Sequence, residues 1–227
     1  MNMLTKVLIS STLFSASMTA SAANIAWTDW TDADIGLSGN ATGLLDFGSG
    51  SSIDVTYNGE ISFAQLGTGT NYFLPSTPYV SSAVENAPTA SEMIAINGGN
   101  TIKNTVTFSE AVVNPVFTIV SLGRASLPTR YEFDQSFSIL SQGPGYFGGS
   151  DTSLTQEGNT LFGREGHGAL VFNGTFDSIS WTVPTAEYWH GFTVGALSTV
   201  SPVPEMEIWA MMLGGLACIG WVKKKKI

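Results

Sequence analysis

Only two histidines occur in the 227-residue chain, and each stands close to a carboxylate. His167 lies in GREGHG with Arg164 and Glu165, and His190 lies in EYWHGF with Glu187. A glutamate beside an imidazole can hold a metal or move a proton, because the ring titrates near neutral pH and the carboxylate orients it. Catalysis needs a third oriented group, yet neither histidine is accompanied by a Gly-x-Ser-x-Gly nucleophile elbow or by metal-ligand spacing. The histidines therefore read as structural hydrogen-bonding groups. A secreted hydrolase of unknown substrate that uses His167 or His190 is the alternative.

Two further groups carry chemistry. Asp29, Asp32 and Asp34 fall within six residues of WTDWTDADIG, and a gathering of carboxylate oxygens suits calcium. Their spacing is not that of an EF-hand loop, so a solvated acidic segment is the plainer reading and calcium is the single cofactor the sequence admits. Aromatic pairs stand beside glycines at Trp27 and Trp30, at Tyr146 and Phe147, and at Tyr188 and Trp189. Exposed rings stack on sugar faces, whereas rings at alternate strand positions, such as Trp181 and Phe192, fill a core. Tyr146 and Phe147 sit among glycines in SQGPGYFGGSD, which favours exposure. With Tyr188 and Trp189 they are the candidate glycan contacts.

The elements that position these groups are strands. Runs such as SIDVTY, TIKNTVTF, PVFTIVSL, RYEFDQSFSIL, SISWTV and GFTVGAL recur between clusters of Gly, Asn, Pro and Ser. No ten-residue window of the body has helical periodicity. Many short strands with glycine-rich turns predict an all-β fold, an antiparallel β-sandwich of jelly-roll-like kind. Asn58-Gly59 and Asn173-Gly174 are the clearest turns. At the first of them, an odd loop or glycine bulge would pair Tyr57 with Ile61 and Val55 with Phe63, setting their apolar sides on one face.

Both ends read as processing signals. Lys6, a short apolar stretch and the Ala20-Ser21-Ala22 site make residues 1–22 a secretory signal peptide with a signal helix. At the other end, the 15-residue apolar run 208–222 is followed by Lys223, Lys224, Lys225 and Lys226. As a helix the run spans about 22 Å, and snorkelling lysines extend its reach. A basic cluster directly after it acts as a stop-transfer signal that stays on the cytoplasmic side. Pro202 and Pro204 keep the chain ahead of the run extended. The domain boundaries are therefore 1–22, 23–200 and 201–227.

Composition narrows the body. Between the two ends, sixteen acidic residues face four basic ones, a net charge of −12, which excludes nucleic acid as a partner. The one cysteine, Cys218, lies in the terminal apolar run, so disulfides and thiolate chemistry are excluded from the body. Its stability has to come from core packing, for which twelve phenylalanines, six tyrosines and four tryptophans are at hand.

The carboxyl-terminal segment, VPE followed by WAMML, GGL and IGW and a basic end, resembles the PEP-CTERM sorting signal of Gram-negative bacteria. Pro204 and Glu205 match the first two positions of the motif, and Met206 stands where the family has its second proline. The resemblance covers about 25 residues. It implies a transmembrane sorting helix and an exosortase-type membrane protease as a partner. It also implies transient anchoring in the inner membrane and release to the cell surface or the extracellular space. It further implies association with exopolysaccharide and biofilm. The expectation is thus a non-enzymatic surface or matrix protein with a structural or glycan-binding role.

Overall fold

The computed structural model describes residues 22–48 and 50–199. The residues before 22, the motif at Pro204, Glu205 and Met206, the apolar run and Lys223, Lys224, Lys225 and Lys226 lie outside the described residues. The first strands are β1 (Ala26–Trp27), β2 (Asp29–Asp34), β3 (Gly36–Asp46), β4 (Ser52–Ile61), β5 (Phe63–Gln65), β6 (Met93–Ile96), β7 (Asn104–Val113) and β8 (Val116–Leu122). There follow β9 (Thr129–Phe133), β10 (Ser138–Gln142), β11 (Leu154–Glu157), β12 (Thr160–Gly163), β13 (Gly166–Val171), β14 (Thr175–Thr182), β15 (His190–Ala196) and β16 (Ser198–Thr199). The described residues hold no α-helix, only one 3-10 turn at Thr77–Tyr79.

The strands form two antiparallel sheets. One runs β10-β13-β8-β15-β6-β5 with β1 added on β15, and the other runs β11-β12-β9-β14-β7-β4-β3-β2 with β16 added on β7. Alternation decides which side chains meet between them. Val55, Tyr57, Val106, Phe108, Tyr131, Phe133, Ile179 and Trp181 point inward from the second sheet, and Phe117, Ile119, Leu170, Phe192 and Val194 from the first. All belong to a single buried cluster, so the fold is a two-layer sandwich. Its centre is aromatic: Phe117 stacks on Phe192 at 5.0 Å, and Trp181 meets each of them edge-on at 5.0 Å. Trp181 and Phe192 are core rings, as their alternate positions predict.

The expected turn at Asn58-Gly59 is absent. β4 runs straight through it, paired with β3 on one side and β7 on the other, and the chain bends only at Ser62, after which β5 joins the opposite sheet. Tyr57 therefore pairs with Ala41 and Val106 and not with Ile61. The glycine answers a packing need instead. A Cβ at Gly59 would run into Oδ1 of Asn104, an atom that accepts from the Tyr57 hydroxyl at 2.7 Å and from the Glu60 N–H at 3.0 Å. Glu60 in turn is buried, its carboxylate accepting from the N–H groups of Asn97 and Gly98 and from the Asn100 amide. Turn chemistry at one dipeptide yields here to a buried polar network that must be fully bonded. Asn173-Gly174 does interrupt the strands, but it carries the chain from β13 to β14, across the two sheets.

Candidate functional site

Three neighbouring strands of the first sheet, β13, β8 and β15, end at one edge of the sandwich, and the loops beyond them build a cleft. The loop after β8 turns back tightly, with Arg124 and Leu127 exchanging backbone hydrogen bonds. The glycine-rich loop after β10 makes a second tight turn. Gly145 N–H donates to Gly148 at 2.7 Å and Gly148 N–H donates back at 3.1 Å, leaving Tyr146 and Phe147 at the apex. Gly148 adopts φ of +98°, a conformation that glycine supplies without steric cost. Segments 163–166 and 185–189 complete the rim.

The resulting cleft, about 360 Å³, is lined by Ser121, Arg124, Phe147, Glu165, Glu187, Tyr188 and Trp189. The candidate contacts, more than 40 residues apart in sequence, thus come together. Phe147 and Trp189 lie 5.4 Å apart, and Tyr146 adjoins Phe147 at 4.9 Å. Tyr188 stands 86% exposed, and Tyr146 and Phe147 are about half exposed. Trp189 differs from the expectation of a free contact. It is half-buried against Phe63, Tyr72 and Phe147, forming part of the cover over Met93 and Val120 on the outer face of the sheet. The rings that the sequence reading left out are Phe63 and Tyr72. Tyr72 touches Tyr146, Phe147 and Trp189 at 5.0 to 5.7 Å, and its setting, GTGTNYFLP, has the glycine-flanked signature that marks Tyr146 and Phe147.

The polar side of the cleft is held under backbone strain. Ser121 and Glu165 adopt left-handed conformations, φ of +58° and +54°, which cost on the order of 1–3 kcal/mol each in a residue with a side chain. The two residues bond each other, the Ser121 hydroxyl donating to Glu165 at 2.9 Å. Glu165 N–H also donates to the Gly123 carbonyl at 3.1 Å, stitching the two loops together. Glu187 is held by the Gly123 N–H at 2.8 Å and lies 2.7 Å from His190 Nδ1, with its side chain only 3% exposed. That last contact is close but off the ring's N–H direction, so it is an electrostatic contact and not an aligned hydrogen bond. Two strained residues thus converge on one cleft.

The histidines do not share this site. Both are fully buried, and they occupy opposite faces of the sheet. His190 lies two residues before the core residue Phe192 and packs on Tyr131 at 5.1 Å. His167 lies two residues before Ala169 on the outer face, under the glycine-rich loop. A Cβ on Gly145 would run into its ring. The Tyr79 hydroxyl at 2.9 Å and the Ser121 N–H at 3.3 Å both reach His167 Nδ1, and this hydrogen-bonding pattern assigns the ring proton to Nε2. Burial lowers its pKa to about 4, so the ring is neutral at pH 7. The Glu165 neighbour suggested by GREGHG bonds Ser121 instead.

The remaining candidates are dispersed. Asp29, Asp32 and Asp34 are exposed along the edge strand β2, opposite Leu44, Thr42 and Asn40, and the five-residue span from first to last is about 16 Å. Among the described residues no group of three or more His, Cys, Asp or Glu is gathered as a metal site. Charges on an edge strand have a structural use, since they discourage pairing with another chain. Trp27 and Trp30 are buried, their indole N–H groups donating to the Asn86 carbonyl and the Thr193 hydroxyl. Comparison of the chain with protein-family models, with curated proteins and with solved structures finds no match.

Proposed function

We propose that the protein is an exported surface or extracellular-matrix component whose sandwich binds glycan in this cleft and catalyses no reaction. The observation that carries the reading is the convergence of half-exposed and exposed rings with Ser121, Arg124, Glu165 and Glu187 around one concave space. Rings supply stacking faces, and a surrounding set of donors and acceptors fixes the orientation of hydroxyl groups. At about 360 Å³ the cleft is small for a ligand site, which suits a short stretch of a polymer. Export and sorting rest on the two chain ends: the signal peptide over residues 1–22, and Pro204, Glu205 and Met206 ahead of the apolar run and Lys223–Lys226. From β7 to β15 the chain passes repeatedly between the two sheets, with β11 and β12 the one hairpin inside a sheet, which supports a jelly-roll-like arrangement.

The hydrolase alternative loses its original residues, because both imidazoles are sealed from solvent. It would have to run through Glu165 and Glu187, the two carboxylates that line the cleft, in the manner of a glycosidase pair. A panel of glycoside, ester and peptide substrates separates the readings. Binding on a glycan array without turnover is the expected result, and turnover abolished by Glu165→Gln would replace binding with hydrolysis. The sorting part of the proposal is tested by mass spectrometry of the extracellular fraction, where the mature chain should lack Lys223–Lys226. An intact terminus in every molecule would refute it.

A further inference from the structure

We infer that the glycan this cleft takes carries free amines: a protonated amino sugar, in preference to an N-acetylated or an acidic one. The inference rests on the glycan reading above and names the substrate class of the same site. Two of the three charged residues lining the cleft are carboxylates. Glu187 is nearly enclosed, so its field is little screened by solvent, whereas Arg124 is exposed and its charge is screened. Among the described residues Arg124 forms no ion pair with either glutamate; Glu187 has His190 Nδ1 2.7 Å away, and Glu165 is the carboxylate with no cationic partner in the site. Ser121 engages Oε2 of Glu165, and Gly123 and His190 face Oε1 of Glu187, which leaves the second oxygen of each as an acceptor for an ammonium group.

The aromatic wall points the same way. Phe147, Tyr188 and Trp189 line the cleft with the two glutamates, and ring faces attract cations as well as sugar C–H faces. The far field agrees, since a body with net charge −12 draws cations toward it and repels uronate or sulfate polymers. An uncharged N-acetyl sugar would stack as well but would leave Glu165 without a counter-charge.

The test is calorimetric titration of the purified full-length chain at pH 6 with three oligomers of equal length: β-linked glucosamine, its N-acetylated counterpart and a uronate. The glucosamine oligomer should bind about ten-fold or more tighter than the acetylated one at low salt, with the ratio shrinking as salt rises. Glu165→Gln, which keeps an acceptor for the Ser121 hydroxyl, should bring the two affinities to within about two-fold, and Tyr188→Ala should weaken the amine oligomer several-fold. Equal or tighter binding of the acetylated or uronate oligomer overturns the amine inference and leaves glycan binding standing. Amine binding that neither substitution alters is diffuse attraction to an acidic surface and also overturns it. No binding to any of the three overturns the amine inference, and a broad glycan array then decides the glycan reading on its own.

Discussion

Two aromatic clusters lie on opposite faces of the seven-stranded sheet. On the inner face, Phe117 and Phe192 pack against Tyr131 and Trp181 of the second sheet, and all four rings are buried. On the outer face, Phe63, Tyr72, Tyr146, Phe147 and Trp189 pack on one another and stay partly exposed, and Tyr188 stands 86% exposed beside them. The residue types and ring separations are alike, so the inner and outer clusters do not differ in aromatic contact. They differ in what is left over: the inner rings have no remaining surface, while the outer rings border a cleft with polar groups set into it. Strand parity buries the inner rings, whereas all of the outer rings but Phe63 are carried by loops that leave part of their surface open.

The largest expected effect belongs to the inner cluster. Trp181→Ala removes a ring that is 1% exposed and should cost about 3–5 kcal/mol of stability, read from denaturant unfolding. Oligosaccharide affinity of the fraction that stays folded should be unchanged. Loss of affinity without loss of stability would erase the distinction between the clusters.

Next comes His167, which joins the loop of the outer cluster to the sheet. Its folded pKa, about 4, lies below the ordinary 6.5, so the unfolded chain takes up the proton first as pH falls. Its contribution is fully present above pH 6.5 and is lost between pH 6.5 and 4, by up to about 3 kcal/mol. The stability difference between the natural protein and His167→Asn should change by about that amount, ~3 kcal/mol, between pH 6.5 and 4. A constant difference would show that the ring is not held neutral.

Trp189 should fall between the extremes. As a half-buried wall of the cleft it should lose about 2 kcal/mol of stability on change to alanine, less than a closed core ring, together with part of the ligand affinity. A loss as large as that of Trp181→Ala would move it into the core class, and none at all would make it a free contact.

Much of this division is legible in the sequence. Period-two alternation marks Trp181 and Phe192 as inward rings, and glycines around Tyr146 and Phe147 mark a turn apex. What escapes is whatever depends on pairing between distant segments. Asn58-Gly59 reads as a turn, but Asn104, 46 and 45 residues further on, claims the space above Gly59. Ser121 and Glu165 carry no local signal of their left-handed conformations, because each is imposed by the loop it bonds across the site. Both glutamates stand beside their histidines in the sequence, yet only Glu187 stays close to its histidine, since Glu165, left-handed and ahead of β13, turns to bond Ser121. The strands β2, β3, β11 and β12 lack dense β-branched runs and are strands because of their partners.

The smallest stability effect supplies the most direct test. Tyr188 is the most exposed ring at the cleft, so Tyr188→Ala should leave the unfolding midpoint unchanged within about 0.5 kcal/mol. It should weaken binding of a glycan selected on an array by several-fold, about 1 kcal/mol. The decisive measurement is therefore a titration of that glycan into the natural protein and into Tyr188→Ala. A weaker affinity at equal stability is the predicted result, and equal affinity in the two, or no bound glycan across a broad array, would contradict the account.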